Sequence, residues 1–391
     1  MIWVYPRSCV GESNPFSYFT PSASDADGFL KRRDIMKRVV MLFTLVAMLG
    51  LLLSAAAEEE AAVLSEAYRM MAGRVSFTFP AAPSLVHEED RTMEQSLERG
   101  GPYAAWKNKI QLAGETESGA EFRVHILNAE PMLAWMKENH PGEDEAQYPF
   151  HALLNLAQYF TDCLDAAIPD APTMGYTGPK DAPLPVILFG YRSARSTTWH
   201  YGKAMMDGDT AVFMMGRDDP EVLAAIKDMR AVSPEERQAY DSREGETAVI
   251  EKLQVTFPVP PVKEDAVGHT ALHVLCDDGT LLEADYLEMP IWMIAEGDDM
   301  NREIKKFVET SAEGYKERDV IVDYEVKKAA DKLYGFSAKC QIKAMINGMV
   351  PVRELMHCYV SENGIYTFKA TDTEIGRAFL DSITFETDSD L

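Results

Sequence analysis

The sequence predicts an α+β fold of two tandem antiparallel-sheet units flanked by helices. Two repeated motifs and one pattern predict it. An alternating strand stopped by Phe-Pro-x-x-Pro occurs twice, as Phe79, Pro80 and Pro83 and again as Phe257, Pro258 and Pro261. A strand followed within a few residues by Asp-x-Glu and a β-branched residue also occurs twice, as Asp219-Pro220-Glu221-Val222 and Asp372-Thr373-Glu374-Ile375. Between opening and closing motifs, stretches of period-two alternation outnumber helical stretches, the pattern of antiparallel meanders rather than of alternating strand and helix.

Taken in order, residues 1–35 are rich in Ser, Pro and Asp without periodicity and read as an upstream extension, with Met36 as the expected start. Lys37 and Arg38 precede an apolar run over 39–53, and Ser54-Ala55-Ala56-Ala57 then meets three glutamates. A basic start, an apolar centre and a small-residue end describe a secretory signal peptide over 36–57, cleaved after Ala57. Retention of the segment as an N-terminal anchor is the alternative, with Lys31, Arg32, Arg33, Lys37 and Arg38 held inside. Both readings place the bulk of the chain outside the cytoplasm, secreted or at the cell envelope. No Cys follows the apolar run directly, so a lipid-anchored form is not indicated.

Residues 58–73 space Ala62, Val63, Leu64, Ala67, Met70 and Met71 as a short helix after an acidic start, ending at Gly73. The first unit, 74–231, opens with strand 75–79. Alternation over 106–112 and 121–126 predicts a hairpin around Ser118-Gly119. Phe150, Leu153, Leu154, Ala157, Phe160 and Leu164 recur at three and four, a helix. A Pro/Gly-rich loop over 169–185 leads to strands 186–191, 196–206 and 210–215. Asp219 then caps a helix that has Pro220 at its first position and Glu221 at its positive end.

The polar, core-poor stretch 232–248 reads as a linker to the second unit, 249–386. Strands 270–276 and 281–287 flank Asp277-Asp278-Gly279, and helix 299–315 carries Ile304, Phe307, Val308 and Ala312 on one face. Strands 320–327, 333–346 and 350–360 follow, the last two joined at Asn347-Gly348, a strong hairpin signal. Strand 364–370, the closing helix and an acidic tail, 387–391, end the chain.

This order of elements is similar to the PsbP-like family. Each unit opens with a strand ending in Phe-Pro, runs through a hairpin, a helix and a meander, and closes with strand and helix, the second ending in Ser382, Ile383 and Phe385. The resemblance implies an α/β/α sandwich and roles in binding and assembly rather than catalysis; it supplies no functional residue. The Pro/Gly-rich insert at 169–185 departs from the pattern.

A formal charge of −25 makes nucleic acid and anionic membrane surfaces unsuitable partners, since such binding depends on clustered Lys and Arg. The expected partner is a protein or small ligand outside the cytoplasm, with membrane contact only through a retained anchor. The functional expectation is an exported, non-enzymatic binding or assembly factor without metal or cofactor, its site at the cleft between the units. The alternative is a secreted hydrolase using acidic residues of that cleft, recognisable by facing carboxylates with a raised pKa.

Candidate residues are few. Trp135 and Trp292 stand at similar places in the two units and suit a core or domain interface. Cys340 and Cys358 flank Asn347-Gly348 and form the candidate disulfide, with burial as separate thiols the alternative. His269, His273 and Cys276 invite a metal reading, but on a strand two residues four apart sit about 13 Å from each other at ~3.3 Å per residue, too far to share one zinc. Ser193, Ser196 and His200 lack a nucleophile elbow. Asp207-Gly208-Asp209 and Glu296-Gly297-Asp298-Asp299 lack a calcium loop and read as turns. Met205, Met206, Met214 and Met215 read as a soft patch if exposed and as filler if buried.

Overall fold

The computed structural model describes residues 64–87, 107–142, 144–159, 174–177, 182–192, 198–289, 299–342 and 350–385. A 3-10 turn, Glu66–Tyr68, leads to β1 (Arg69–Ala72), β2 (Val75–Thr78), β3 (Ser84–Leu85), β4 (Lys107–Glu115) and β5 (Glu121–Asn128). Helices α1 (Glu130–Asn139) and α2 (Tyr148–Tyr159) precede β6 (Met174–Thr177), β7 (Val186–Arg192), β8 (Trp199–Asp207) and β9 (Thr210–Arg217). Next come α3 (Pro220–Asp228), β10 (Arg230–Ala231), α4 (Pro234–Asp241), β11 (Glu246–Ile250), β12 (Leu253–Phe257), β13 (Val262–Ala266), β14 (His269–Leu275) and β15 (Leu281–Glu288). The order continues through α5 (Met300–Glu317), β16 (Ile321–Ala330), β17 (Leu333–Cys340), β18 (Glu354–Ser361), β19 (Gly364–Thr371), α6 (Glu374–Asp381) and β20 (Thr384–Phe385).

The chain is α+β, built as two tandem antiparallel-sheet units. One seven-stranded sheet runs β3-β4-β5-β9-β8-β7-β6 and the other β13-β14-β15-β19-β18-β17-β16; two three-stranded sheets run β1-β2-β10 and β11-β12-β20. Adding ten to each strand number of the first pair of sheets reproduces the second. In the first unit, one sheet face packs under α1 and α2 through Leu127, Met132, Leu153, Leu156, Phe213 and Met215. The other face takes α3 and the small sheet through Phe77, Phe79, Phe122, Val124 and Ile226. In the second, α5 covers Phe336, Met356 and Cys358 with Ile304, Val308 and Ala312, and α6 and β12 cover the opposite face with Phe379 and Phe257. No helix among the described residues is long and apolar enough to cross a membrane.

The capping chemistry follows the sequence closely at one repeat and shifts by a residue at the other. Asp219 accepts from the Glu221 and Val222 amides, 2.9 and 3.3 Å, with Pro220 opening α3. At α6 the cap is Thr373, whose hydroxyl accepts from the Gly376 amide at 3.1 Å, while Asp372 pairs with Arg377 at 2.7 Å. The first turn of α6 packs so tightly on the end of β19 that a Cβ at Gly376 would lie 2.0 Å from the Thr371 carbonyl oxygen.

Three expectations need correction. The described part of 58–73 holds a 3-10 turn and β1 rather than a helix, because Met70, Met71 and Ala72 find ladder partners in Phe77, Ser76 and Val75. Stretch 232–248 is not an unstructured linker. Ser233 accepts from the Glu236 amide at 3.1 Å to start α4, a polar helix that buries Tyr240 alone, and β11 pairs with β12. The loop 169–185 contains β6, paired to β7. The Asn347-Gly348 turn lies outside the described residues.

Candidate functional site

The seam between the two units, expected as a cleft, is filled where it is described. Leu275 and Leu281, at the tip of the β14–β15 hairpin, join the apolar cluster of the first unit. The turn between them needs Gly279: its φ is +85°, and an added Cβ would lie 2.8 Å from Leu85 and 3.2 Å from Ile110. Val86 bridges to Pro351, and the Val352 amide donates to the Leu85 carbonyl at 2.7 Å. From α4, the Tyr240 hydroxyl donates to Asp277 at 2.6 Å while the Arg243 guanidinium lies 3.5 Å over the Tyr240 ring.

At the edge of this seam the strands present a polar cluster. In the first sheet Arg123 faces Met215 and His125 faces Phe213 across β5–β9; at the matching places of the second sheet Glu283 faces Lys369 and Asp285 faces Thr367. Both sheets thus carry charged or titratable groups at these places, buried in the first (Arg123 and His125) and half-buried in the second (Glu283 and Asp285). His269 and His273 each bring Nε2 to 3.5 Å from the same oxygen of Asp285. That separation is long for a hydrogen bond, so the contact is chiefly electrostatic. Tyr68, from the 3-10 turn of the first unit, places its hydroxyl 3.5 Å from His273 Nδ1. Burial alone would raise the Asp285 carboxyl, but His273, Lys369 and His269 outweigh it and hold the group below the ordinary carboxylate range. Burial and the charges of Glu283, Glu264 and Asp285 push the Tyr68 phenol up to about 12. Among the described residues, no three metal-ligating side chains converge closely enough to hold an ion.

A second constellation lies on the α3 face of the first sheet and was not foreseen from sequence. Register sets three rows across β7, β8 and β9. Arg192 faces Trp199, and the Asp218 amide donates to the Trp199 carbonyl at 2.9 Å. One step along, Gly190 and Gly216 flank Tyr201, and beyond them Leu188 and Met214 flank Lys203. The Trp199 and Tyr201 rings are nearly parallel, 14° apart in plane with centroids 6.2 Å apart. Tyr201 leans over bare backbone: a Cβ at Gly190 would sit 3.0 Å from its ring. Both aromatics are half-buried, and Leu188 and Arg192 are exposed. Burial and the neighbouring Asp219 charge raise the Asp218 carboxyl, and burial with Asp218 raises Tyr201. Lys203 is anchored through its ammonium to the Met229 carbonyl at the end of α3. A rigid aromatic pair with a cation at one side and an acid at the other suits stacking and hydrogen bonding to a partner group. The sequence signal was the Trp-x-Tyr-x-Lys spacing of one strand face, with the glycines two strands apart.

The remaining sequence candidates fall as follows. Trp135, on α1, packs half-buried against the α1–α2 core, edge-on to His140 at 5.7 Å; Trp292 lies outside the described residues. Cys340 and Cys358 are buried as separate thiols, which corrects the candidate disulfide. Cys358 pairs with Phe336, four positions from Cys340 on β17, so the two sit about 13 Å apart where a disulfide needs under ~7 Å. His200 is buried and stacked on Tyr191 at 5.4 Å, with Ser193 and Ser196 outside the described residues. Asp207 clamps Arg74, accepting from its backbone amide and guanidinium at 2.8–3.1 Å. Asp299 caps α5, and the four methionines are buried filler. A shallow pocket of about 380 Å³ between α1 and the start of α2 has an apolar floor of Leu133, Ala134 and Tyr148 under Glu130, Lys137 and Glu145.

No family model matches the chain, and no curated protein matches it. Among solved structures, the cyanobacterial PsbP (CyanoP) of Synechocystis sp. PCC 6803 aligns at 12% identity over 37% of this chain and 94% of its own, with a TM-score of 0.25. A Bacteroides fragilis NCTC 9343 protein described as an outer membrane protein aligns at 8% identity over 68% of this chain and 89% of its own, with a TM-score of 0.13. At these scores neither likeness carries an argument about fold or function.

Proposed function

We propose that this chain is an exported binding or assembly factor of two PsbP-like units, acting outside the cytoplasm through a protein partner that docks on the Trp199–Tyr201 face. The observation that carries the reading is that face itself. Trp, Tyr and Arg, the residue types that dominate binding energy at protein interfaces, stand on a rigid sheet beside exposed Leu188. Export rests on the basic, apolar and small-residue run over 37–57.

The hydrolase alternative draws no comparable support. At the seam Asp285 is held below the ordinary carboxylate range, opposite to what a general acid needs. Asp218 is raised, but its neighbour Asp219 is committed to capping α3 and accepts from the Ser118 hydroxyl at 2.7 Å.

The test is a photo-cross-linking residue at position 188 in the native cell, followed by mass spectrometry of the adduct and of the mature N-terminus. A single adduct on a chain beginning at Glu58, lost in Trp199→Ala and Tyr201→Ala, supports the proposal. An adduct profile unchanged by both substitutions, or no adduct, refutes it.

A further inference from the structure

We propose that His273 is a proton-operated latch that fastens the Ser65–Tyr68 segment of the first unit to the second sheet. The latch is built from six elements. The 3-10 turn contributes Tyr68, 3.5 Å from His273 Nδ1, and Ser65, whose hydroxyl donates to Glu264 on β13 at 3.3 Å. On β14, His269 shares Asp285 with His273. On β15, Glu283 stands directly opposite His273. On β19, Lys369 reaches Glu283 at 3.8 Å, and Glu354 on β18 adds negative charge near that lysine.

Three carboxylates, Glu264, Glu283 and Asp285, therefore act on His273, with the Lys369 ammonium as the other charged partner. Protonated, the imidazole donates from Nδ1 toward the Tyr68 hydroxyl and from Nε2 toward Asp285, and it offsets the mutual repulsion of the acids. Its Nε2 is buried without a full hydrogen bond, so a charge–charge attraction holds that side. Deprotonated, Nδ1 can only accept from the Tyr68 hydroxyl, and the three carboxylates lose the positive charge that offset their repulsion, so the fastening of the turn weakens. Burial opposes protonation of His273, but the Asp285 contact and the charges of Glu283, Asp285 and Glu264 prevail and raise its pKa above 6.5. The folded chain thus holds the proton more tightly than the unfolded chain. The stabilisation is complete below the ordinary imidazole value and is lost as pH rises through the raised one.

Hydrogen exchange of the full chain, corrected for intrinsic rates, tests the latch. Protection of the amides of residues 67–72 falls several-fold between pH 5.5 and 8 in the wild type, stays flat in His273→Gln and keeps its pH step in His269→Gln. Histidine NMR shows one imidazole titrating above its ordinary value, a resonance missing from His273→Gln and moved to lower pH in Asp285→Asn. Should His273→Gln fail to fold, Tyr68→Phe decides: it lowers protection at acid pH while leaving the His273 titration raised. Wild-type protection independent of pH, a pH step that survives in His273→Gln, or a segment indifferent to Tyr68→Phe overturns the proposal.

Discussion

Replacing Leu275 by Ala tests whether the second unit's hairpin is part of the first unit's core. Leu275 is fully buried and sits in one cluster with Phe79, Leu112 and Phe122, although its own strand belongs to the second sheet. Losing the side chain forfeits about 1.5–3 kcal/mol of apolar burial. A cavity term adds to this, and Leu→Ala changes in cores span roughly 2.7–5.0 kcal/mol according to how far the site can collapse. Collapse is limited here, because the walls are held by two sheets and by the Gly279 turn under Leu85. We therefore expect a cost near the upper half of that range, about 4 kcal/mol. With an unfolding entropy of ~2.1 cal/mol/K per residue over roughly 300 residues, the melting temperature falls by about 6 °C. Scanning calorimetry measures the shift, and hydrogen exchange shows where it acts. Leu275→Ala loosens β2 and β4 amides as well as β14, whereas Leu272→Ala, on the opposite strand face within the second unit's own cluster, loosens only the second unit. A loss below about 1 kcal/mol, or first-unit amides untouched by Leu275→Ala, would refute the shared core.

Tyr240→Phe removes the 2.6 Å bond to Asp277 and should cost about 1–2 kcal/mol in urea melts, since the acceptor is charged but half exposed. Asp219→Ala removes a cap serving two amides and should cost about 1 kcal/mol; Asp372→Ala, which caps nothing, should cost clearly less in the same assay. Burial pushes the Cys276 and Cys358 thiols up to about 12, so neither reacts with a disulfide reagent at pH 8 until the protein is unfolded by denaturant. A fast native reaction at either cysteine would show that the thiols are accessible.

The repeated strand order was legible because it rests on local signals. Period-two alternation in 121–126 and 270–276, the Asp-Asp-Gly turn, and the Asp219-Pro220-Glu221 start each act within a few residues, and each recurs in the structure. The signals that failed are those decided by a distant partner. Arg69–Ala72 alternates poorly and reads as helix until β2 lies beside it. Residues 234–241 look like a linker because only Tyr240 is buried, and its partner is 37 residues away.

The sites divide the same way. Sequence placed His269 and His273 on one strand face, but it offered no sign that Asp285, on the next strand, would receive both. Nor could it assemble the row of Arg192, Trp199 and Asp218, whose members belong to three segments brought level only by register. The α+β class, the duplication and most strand and helix starts were readable from the chain, since those follow from side-chain periodicity and backbone capping. Which rows meet across strands, and how deeply each polar group is buried, emerged with the assembled sheets. Cross-strand distance depends on register, and burial depends on what packs above, neither of which a linear spacing encodes.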